Sequence, residues 1–302
     1  MTSRPARHIG LDRELEHRFG PLLARCTFPA AGTPVTCAVS GGADSLALLV
    51  LAAAAGCHPT AVHIDHGLRP GSAAEFVVVA RAADRLGVPA RSKTVHVGDG
   101  PNLEARARGA RYAALPLDVL TGHTCDDQAE TVVINLLRGA ALDGLAGMRT
   151  GHRRPLLGLR RHETRQVCSE LGLDVVDDPS NEDRRFLRNR VRHDILPGLA
   201  EAAGRDLVPV LARQADLLRD EADLLDQLAA ALDPTDARLL AAAPIALARR
   251  AVRHWLGGAG HPPDAATVAR VLDVATGTAL ACDVGGGRRV TRSHQRLTLH
   301  LE

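Results

Sequence analysis

The stretch VTCAVSGGADS at residues 35–45 decides the fold. Its first five residues, 35–39, form a short, mostly apolar run that predicts a buried β-strand. Two glycines follow, and an apolar Ala- and Leu-rich segment at residues 46–55 then predicts a helix. Glycines at such a turn let the backbone approach a ligand closely, and the helix N-terminus behind them offers unpaired N–H groups. The stretch therefore predicts a cradle for phosphate oxygens.

This loop contains no lysine, so it differs from the GxxxxGK[ST] phosphate loop. Its candidate phosphate-binding residues are Ser40, Gly41, Gly42, Ala43, Asp44 and Ser45. A carboxylate inside an anion site needs a cation between it and the phosphate, so we expect Asp44 to position Mg²⁺. An ordinary glycine turn, capped by Asp44 or Ser45, is the structural alternative.

Strands and helices alternate along the first half of the chain. After the opening pair, strands are predicted at residues 60–64, 90–95 and 118–120, and helices at residues 73–86, 103–115 and 129–137. This alternation predicts an α/β fold, a doubly wound parallel sheet with helices on both faces. Ligands bind at the carboxyl ends of the strands in such sheets. The polar motifs described next all follow predicted strands or lie on the helices between them.

A polar cluster follows the second predicted strand, where His63, Asp65, His66 and Arg69 lie within seven residues. Residues His63 and Asp65 fall on one face of the strand because side chains alternate. We expect His63 and Arg69 to contact a nucleotide or a base.

The helix after the third predicted strand carries Glu104, Arg108 and Arg111 on one face, at helical spacing. This face is either a salt-bridged solvated surface or a stripe that faces phosphates. The sequence alone leaves both readings open.

A second dense polar cluster, GHTCDDQAET at residues 122–131, follows the fourth predicted strand. Two adjacent carboxylates at a helix start are good partners for its dipole. The cluster has more polar groups than capping needs, namely His123, Gln128 and Glu130. Carboxylates here could bind a metal or hold the ammonium groups of an amino substrate, and the candidates are Asp126, Asp127 and Glu130.

The strongest basic patch has five arginines within residues 184–192. Arginine suits bidentate phosphate contacts and base stacking, so Arg188, Asn189 and Arg192 are candidates for nucleic-acid binding. Neutralisation of this patch by acidic residues of the same protein is the alternative.

The last third of the chain has a different organisation. The dipeptide at residues 197–198, Pro-Gly, suggests a boundary between a catalytic domain at 1–200 and a smaller C-terminal domain at 201–302. Helices are predicted at residues 207–232, 237–256 and 265–274, and a small antiparallel β element at residues 279–301.

Composition excludes several classes of protein. Only 2% of the residues are aromatic, so the core must be aliphatic, and the net charge of +2 limits any polyanion site to a local patch. Six cysteines without a CxxC pair argue against a zinc ribbon, an iron–sulfur cluster or a disulfide framework. No leader and no membrane-spanning apolar run are evident, so we expect a cytoplasmic protein with no membrane partner.

Together these motifs resemble one family. The loop SGGADS matches the PP-loop of the ATP pyrophosphatases. The segments that resemble the tRNA(Ile)-lysidine synthetases are HIDHGLRPGSAAE at 63–75, NLEARARGARY at 102–112, GHTCDDQAET at 122–131, LLRG at 136–139, RRPLLGLRR at 153–161 and DDPSNEDRRFLRNRVRHDILP at 177–197. They occur in the family's order, and the length of the chain is similar to that of the short form. Only nine residues separate Tyr112 from Gly122, fewer than in many relatives.

The resemblance implies a ligase that uses ATP and Mg²⁺ to join L-lysine to C2 of the wobble cytidine of a CAU-anticodon tRNA(Ile), through an adenylated cytidine, with release of AMP and pyrophosphate. It implies catalytic roles for Asp44, Asp126, Asp127 and Glu130. It also implies ATP contacts from the PP-loop, His63 and His123. Contacts to tRNA are then expected from Arg108, Arg111, Arg188, Asn189 and Arg192, with further contacts from the C-terminal domain.

Two alternatives stay open at this point. One is a PP-loop tRNA sulfur-transferase, for which Cys125 in the site motif would be the reactive thiol. The other is a non-catalytic RNA-binding relative. The oligomeric state is open as well, with a homodimer as one candidate.

Overall fold

A computed structural model describes residues 9–65, 67, 72–96, 98, 103–257 and 263–301. The chain forms two compact units, Met1–Ala215 and Asp216–Glu302, and each contains a hydrophobic core. Within the described ranges, no helix is long and apolar enough to cross a membrane.

The first unit contains a parallel sheet of three strands, β1 (Pro34–Ala38), β2 (His58–Asp65) and β3 (Ala90–Thr94), in the order β1-β2-β3. The predicted fourth strand is reduced to one parallel bridge between Leu120 and Cys37 on the other edge of β1. The helices of this unit are α1 (Ile9–Leu23), α2 (Ala43–Ala54), α3 (Ser72–Arg85), α4 (Leu103–Ala114), α5 (Cys125–Leu137), α6 (Leu142–Leu145), α7 (Arg161–Glu170), α8 (Leu187–Arg190) and α9 (Leu196–Ala203). The α/β fold class is confirmed.

Helix α2 is the centre of this unit. Its residues from Ser45 to Ala54 are all buried, and α1 and α7 pack against it. A helix that is apolar on every side must be surrounded by other elements. Burial of α2 therefore fixes its N-terminus, which carries Asp44 and the glycine loop, at the carboxyl end of β1.

The boundary expected at residues 197–198 lies inside helical structure. Helix α8 runs into a π-helical segment, Val191–Ile195, and this segment runs into α9. Pro197 lies in the first turn of α9, where a missing N–H group is tolerated. A Pro-Gly pair therefore does not end the helix at this position.

The second unit has helices α11 (Ala237–Ala242), α12 (Ile245–Gly257) and α13 (Ala265–Thr276), and α10 (Val208–Ala230) spans the division between the units. Its antiparallel strands β4 (Ala281–Asp283), β5 (Arg288–Ser293) and β6 (Arg296–Leu301) form a second sheet in that order. The single helix predicted over residues 237–256 is two helices, because Pro244 cannot continue the first one.

Candidate active site

The glycine loop is held as a tight turn at the start of α2. The Ser45 hydroxyl accepts a hydrogen bond from the Ser40 N–H at 3.1 Å and donates one to the Gly42 carbonyl at 2.8 Å. Gly41 has a φ of +89°, and a Cβ atom there would lie 2.9 Å from a methyl group of Val176. Glycine is therefore required at this position on both counts.

A cavity of about 420 Å³ opens in front of this loop, at the carboxyl ends of β1 and β2. Its lining includes Ser40, Gly42, Ala43, Asp44, Ser45, His63, Arg111, His123, Asp127, Arg161 and Arg192. The structure thus brings most of the predicted nucleotide-site residues to one cavity. The side chains of His66, Arg69 and Arg108 lie outside the described residues.

His63 presents an unsatisfied polar atom beside the cavity. Its ring is buried, and its Nδ1 lies 3.0 Å from the Val39 carbonyl oxygen. Among the described residues, no group forms a hydrogen bond with its buried Nε2. His123 also lines the cavity, with its Nδ1 2.8 Å from the Thr121 hydroxyl. The His63 ring is therefore held through its Nδ1.

Asp44 lies in the first turn of α2 and is held by residues of α7. The Thr164 hydroxyl donates a hydrogen bond to its Oδ1, and the Nε of Arg161 is 3.6 Å from its Oδ2. Burial, together with the nearby charge of Asp127, raises the pKa of Asp44 to about 6. A divalent metal ion beside Asp44 would offset the repulsion between the carboxylates of Asp44 and Asp127. Asp44 is therefore suited to binding such an ion.

The start of α5 places two carboxylates in different environments. Asp127 Oδ2 accepts hydrogen bonds from the N–H and the hydroxyl of Thr124, at 2.8 and 3.0 Å, which caps the helix. Asp126 Oδ2 accepts the Arg161 N–H at 2.8 Å and the Arg160 Nε–H at 3.1 Å. Asp126 therefore ties the start of α7 to the start of α5.

Glu130 lies one turn further along α5, and its side chain is only 1% exposed. Three guanidinium groups donate to it, with the Nη2 of Arg161 at 3.0 Å, the Nε of Arg188 at 2.8 Å and the Nε of Arg192 at 2.7 Å. Arg188 and Arg161 also donate to Asp127 Oδ1, at 2.9 and 3.2 Å. Burial alone would raise the pKa of Asp127, but these arginines outweigh it and lower that pKa to about 2.

The acidic cluster and the basic patch, which the sequence presents as separate features, therefore face each other. Arg188 and Arg192 neutralise Asp127 and Glu130 within the protein. Asn189 is buried, and its amide donates to the carbonyl oxygens of Ser180 and Asp183. Its geometry supports a role in positioning the preceding loop.

Sequence reasoning missed Arg160, Arg161 and Thr164 as parts of the site. All three lie at the start of α7, where Glu163 accepts the Arg160 N–H at 2.8 Å in a capping arrangement. A helix-start signal is present in the sequence as an acidic residue three positions after Arg160. Nothing in the local sequence indicates that this start faces α2 and α5.

Comparisons with known proteins agree with this architecture. Residues 11–199 match the PP-loop domain family, and residues 236–298 match the family of the TilS substrate binding domain. A tRNA(Ile)-lysidine synthase from Nocardia farcinica is 46% identical over 254 residues, which are 78% of this chain and 80% of that protein. A protein of the same name from Mycolicibacterium paratuberculosis is 47% identical over 240 residues, 74% of each chain.

Among solved structures, the U34-tRNA thiolase NcsA from Methanococcus maripaludis has a TM-score of 0.53 at 19% identity, over 70% of this chain and 81% of that one. At that identity the likeness supports the fold alone. The two domain matches and the identity to curated relatives carry the assignment. This chain belongs to the tRNA(Ile)-lysidine synthase family.

Proposed function

We propose that this chain joins L-lysine to C2 of the wobble cytidine of a CAU-anticodon tRNA(Ile), at the expense of ATP. The observation that carries the proposal is that one cavity is lined both by the phosphate loop and by Asp127 of the acidic cluster. ATP and an amine could therefore react with the same base. Reaction with free lysine and tRNA is expected in the cytoplasm.

In the first step, the C2 oxygen of cytidine attacks the α-phosphate and pyrophosphate leaves. Backbone N–H groups of the loop and the hydroxyls of Ser40 and Ser45 are suited to hold pyrophosphate oxygens. Asp44 would hold Mg²⁺ together with those oxygens, and the metal would neutralise phosphate charge. His63 offers its unsatisfied Nε2 to the nucleotide, and His123 lies on the same wall.

In the second step, the ε-amine of lysine displaces AMP from C2. Free lysine has a side-chain pKa of about 10.4, so the site must hold the ammonium and accept its proton. The low pKa of Asp127 makes it a weak base that stays ionised, which suits it to attracting the ammonium. Glu130 is the candidate proton acceptor once arginines that bind it have been displaced. Asp126, which is engaged by Arg160 and Arg161, has a positioning role.

Arginines beside the cavity are our candidates for contacts with tRNA. Arg111 and Arg192 line the cavity, and both Arg188 and Arg192 form ion pairs with Glu130 of the acidic cluster. Arg108 is on the same helix as Arg111, at a position three residues earlier. The wobble base must leave its stack to reach C2, which costs a few kcal/mol. We expect the second unit to offset this cost by binding the rest of the tRNA.

The test is incubation of the full chain with ATP, Mg²⁺, radiolabelled lysine and a CAU-anticodon tRNA(Ile) transcript. We expect label in this tRNA and none in a matched transcript with a GAU anticodon. Absence of label in both would overturn the proposal. The variant Cys125→Ser should keep its activity, whereas loss of activity together with sulfur incorporation would indicate a sulfur-transferase.

A further inference from the structure

Glu130 has no lone pair left for a new donor. Its Oε1 accepts from Arg161 Nη2 at 3.0 Å and Arg192 Nε at 2.7 Å, and its Oε2 accepts from Arg188 Nε at 2.8 Å and Arg192 Nη2 at 3.2 Å. An ionised carboxylate offers about four acceptor positions, and these four bonds use them all.

Asp127 is engaged to the same degree. Its Oδ1 accepts from Arg188 and Arg161, and its Oδ2 accepts twice from Thr124. An ammonium group that binds to Asp127 or Glu130 must therefore displace an existing donor. The two helix-capping bonds from Thr124 are local to α5, so an arginine is the group that can leave.

The charges of this cluster also disfavour an added cation. Three guanidinium groups, those of Arg161, Arg188 and Arg192, surround two carboxylates. Arg161 also contacts Asp44, so these three arginines are matched by three carboxylates, and a lysine ammonium would give the cluster an excess of positive charge. Its entry becomes favourable when one or two arginines exchange their carboxylate partners for another anion.

The three arginines differ in how firmly they are held. Arg161 contacts Asp44 as well as both carboxylates, and its backbone N–H is bound by Asp126. The side chains of Arg188 and Arg192 are 30% and 22% exposed, and within the described part of the chain their ion pairs go to Asp127 and Glu130. They lie four residues apart on helical backbone, Arg192 in the π-helical segment, so they share a face. π-Helical segments occur frequently at functional sites.

We propose that Arg188 and Arg192 form a latch on Asp127 and Glu130, and that tRNA phosphates open the latch by taking these guanidinium groups. Arginine binds phosphate in the same bidentate manner in which it binds a carboxylate. The exchange conserves paired charges, since phosphate receives guanidinium and the freed carboxylates receive the lysine ammonium. Bound tRNA then raises the affinity for lysine. This inference rests on the proposed function and adds a binding order to it.

The test uses the full chain without ATP, so that no turnover occurs. L-lysine is titrated calorimetrically into the free protein and into its complex with the CAU-anticodon tRNA transcript. We expect tRNA to lower the Kd for lysine about tenfold, and lysine to lower the Kd for tRNA by the same factor, as linkage requires. Equal lysine affinity in both states would overturn the latch.

The variant Arg192→Gln tests the latch by removing one of its two arginines. It should bind lysine more tightly than the wild type in the absence of tRNA, with a smaller gain when tRNA is added. If Arg192 had only a structural role, its loss would not lower the ratio of the lysine Kd without tRNA to the lysine Kd with tRNA. The control is Arg18→Gln, which removes an arginine that is paired with Glu170 on the surface and should keep the wild-type ratio. Should Arg192→Gln fail to fold, the reciprocal titrations of the wild type decide the matter.

Failure of the latch and failure of the proposed function give different results. If labelled lysine is ligated to tRNA but the two affinities are independent, the latch is wrong and the function stands. If lysine binds in neither state and is not ligated, the proposed function is wrong and the latch falls with it.

Discussion

At the scale of single residues, Asp44 lines the cavity in which we propose that the triphosphate binds. We predict that Asp44→Ala abolishes pyrophosphate release in the presence of tRNA, because the carboxylate that we propose to hold Mg²⁺ is lost. Binding of tRNA should change by less than about twofold, since Asp44 contacts Thr164 and Arg161 inside the site. Pyrophosphate release and filter binding measure the two effects. Asp174→Ala, at an exposed carboxylate, serves as the control, and loss of tRNA binding by Asp44→Ala alone would contradict the assignment.

Asp127 should contribute to stability in a pH-dependent way. Its pKa in the folded protein is about 2, below the ordinary value of 3.8. A depressed carboxyl pKa stabilises the folded state above the unfolded pKa, and this stabilisation is lost as the pH falls from about 4 to about 2. The shift corresponds to about 2 kcal/mol.

This dependence can be measured by urea unfolding of the wild type and of Asp127→Asn between pH 5 and pH 2. The free energy of unfolding of the wild type should fall more steeply than that of the variant over the lower part of this range. If the free energies of unfolding of the two proteins changed equally with pH, Asp127 would not be the source of the pH dependence.

Much of the residue-scale chemistry could be predicted from the sequence, because the residues of each motif are close together in the chain. The pairing between motifs could not. Arg192 and Glu130 are 62 residues apart, and Thr164 and Asp44 are 120 apart. Local pattern says nothing about which helix ends meet, so it does not reveal that Arg161 faces α2 and α5 or that the Asn189 amide binds the preceding loop.

At the scale of elements, the site depends on how closely the strand end before α5 approaches α2. A Cβ atom on Gly122 would lie 2.5 Å from the Asp44 carbonyl oxygen, which is backbone and cannot rotate away. We therefore predict that Gly122→Ala displaces the start of α2 or α5, costs about 1–3 kcal/mol of stability and lowers pyrophosphate release strongly. Thermal unfolding and a pyrophosphate assay check this.

Gly198→Ala is the matched control for Gly122→Ala. Gly198 lies within α9, and a Cβ atom there would meet nothing within 4 Å. Alanine favours a helix over glycine by up to about 1 kcal/mol, so this variant should be as stable as the wild type or more so. Equal effects of the two substitutions would show that the approach of Gly122 to α2 is not what matters.

Element boundaries show where sequence patterns fail. Helices α2 and α5 begin three and four residues before their predicted starts, at Ala43 and Cys125, so the polar residues assigned to loops lie in first turns. Apolar periodicity identifies the buried part of a helix and misses a polar first turn. The short predicted strand at 118–120 forms only one bridge. A pattern of three residues cannot distinguish a single bridge from a strand.

At the scale of the whole molecule, each unit has its own largely aliphatic main core. The core of the first unit is centred on α2, and that of the second combines α11, α12 and α13 with the small sheet. A smaller apolar cluster in the first unit joins α5 and α9. The family match over residues 11–199 lies entirely within the first unit, and the match over residues 236–298 lies entirely within the second. A boundary at residue 200 stays a prediction, since helix spacing and a Pro-Gly pair do not reveal which core a helix joins.

This division predicts that the two binding activities can be lost separately. Leu240 is 2% exposed in the core of the second unit, and Leu240→Ala should cost about 2–5 kcal/mol there through the cavity it leaves. We expect the Kd for tRNA to rise about tenfold or more as that unit melts, while ATP binding, which we assign to the loop before α2 in the first unit, changes little. Fluorescent ATP-analogue binding and filter binding of tRNA, followed with temperature, measure both.

The counterpart Leu159→Ala, in the core of the first unit, should weaken ATP binding instead. Parallel loss of both activities in both variants would mean that the two units do not act as separate binding elements.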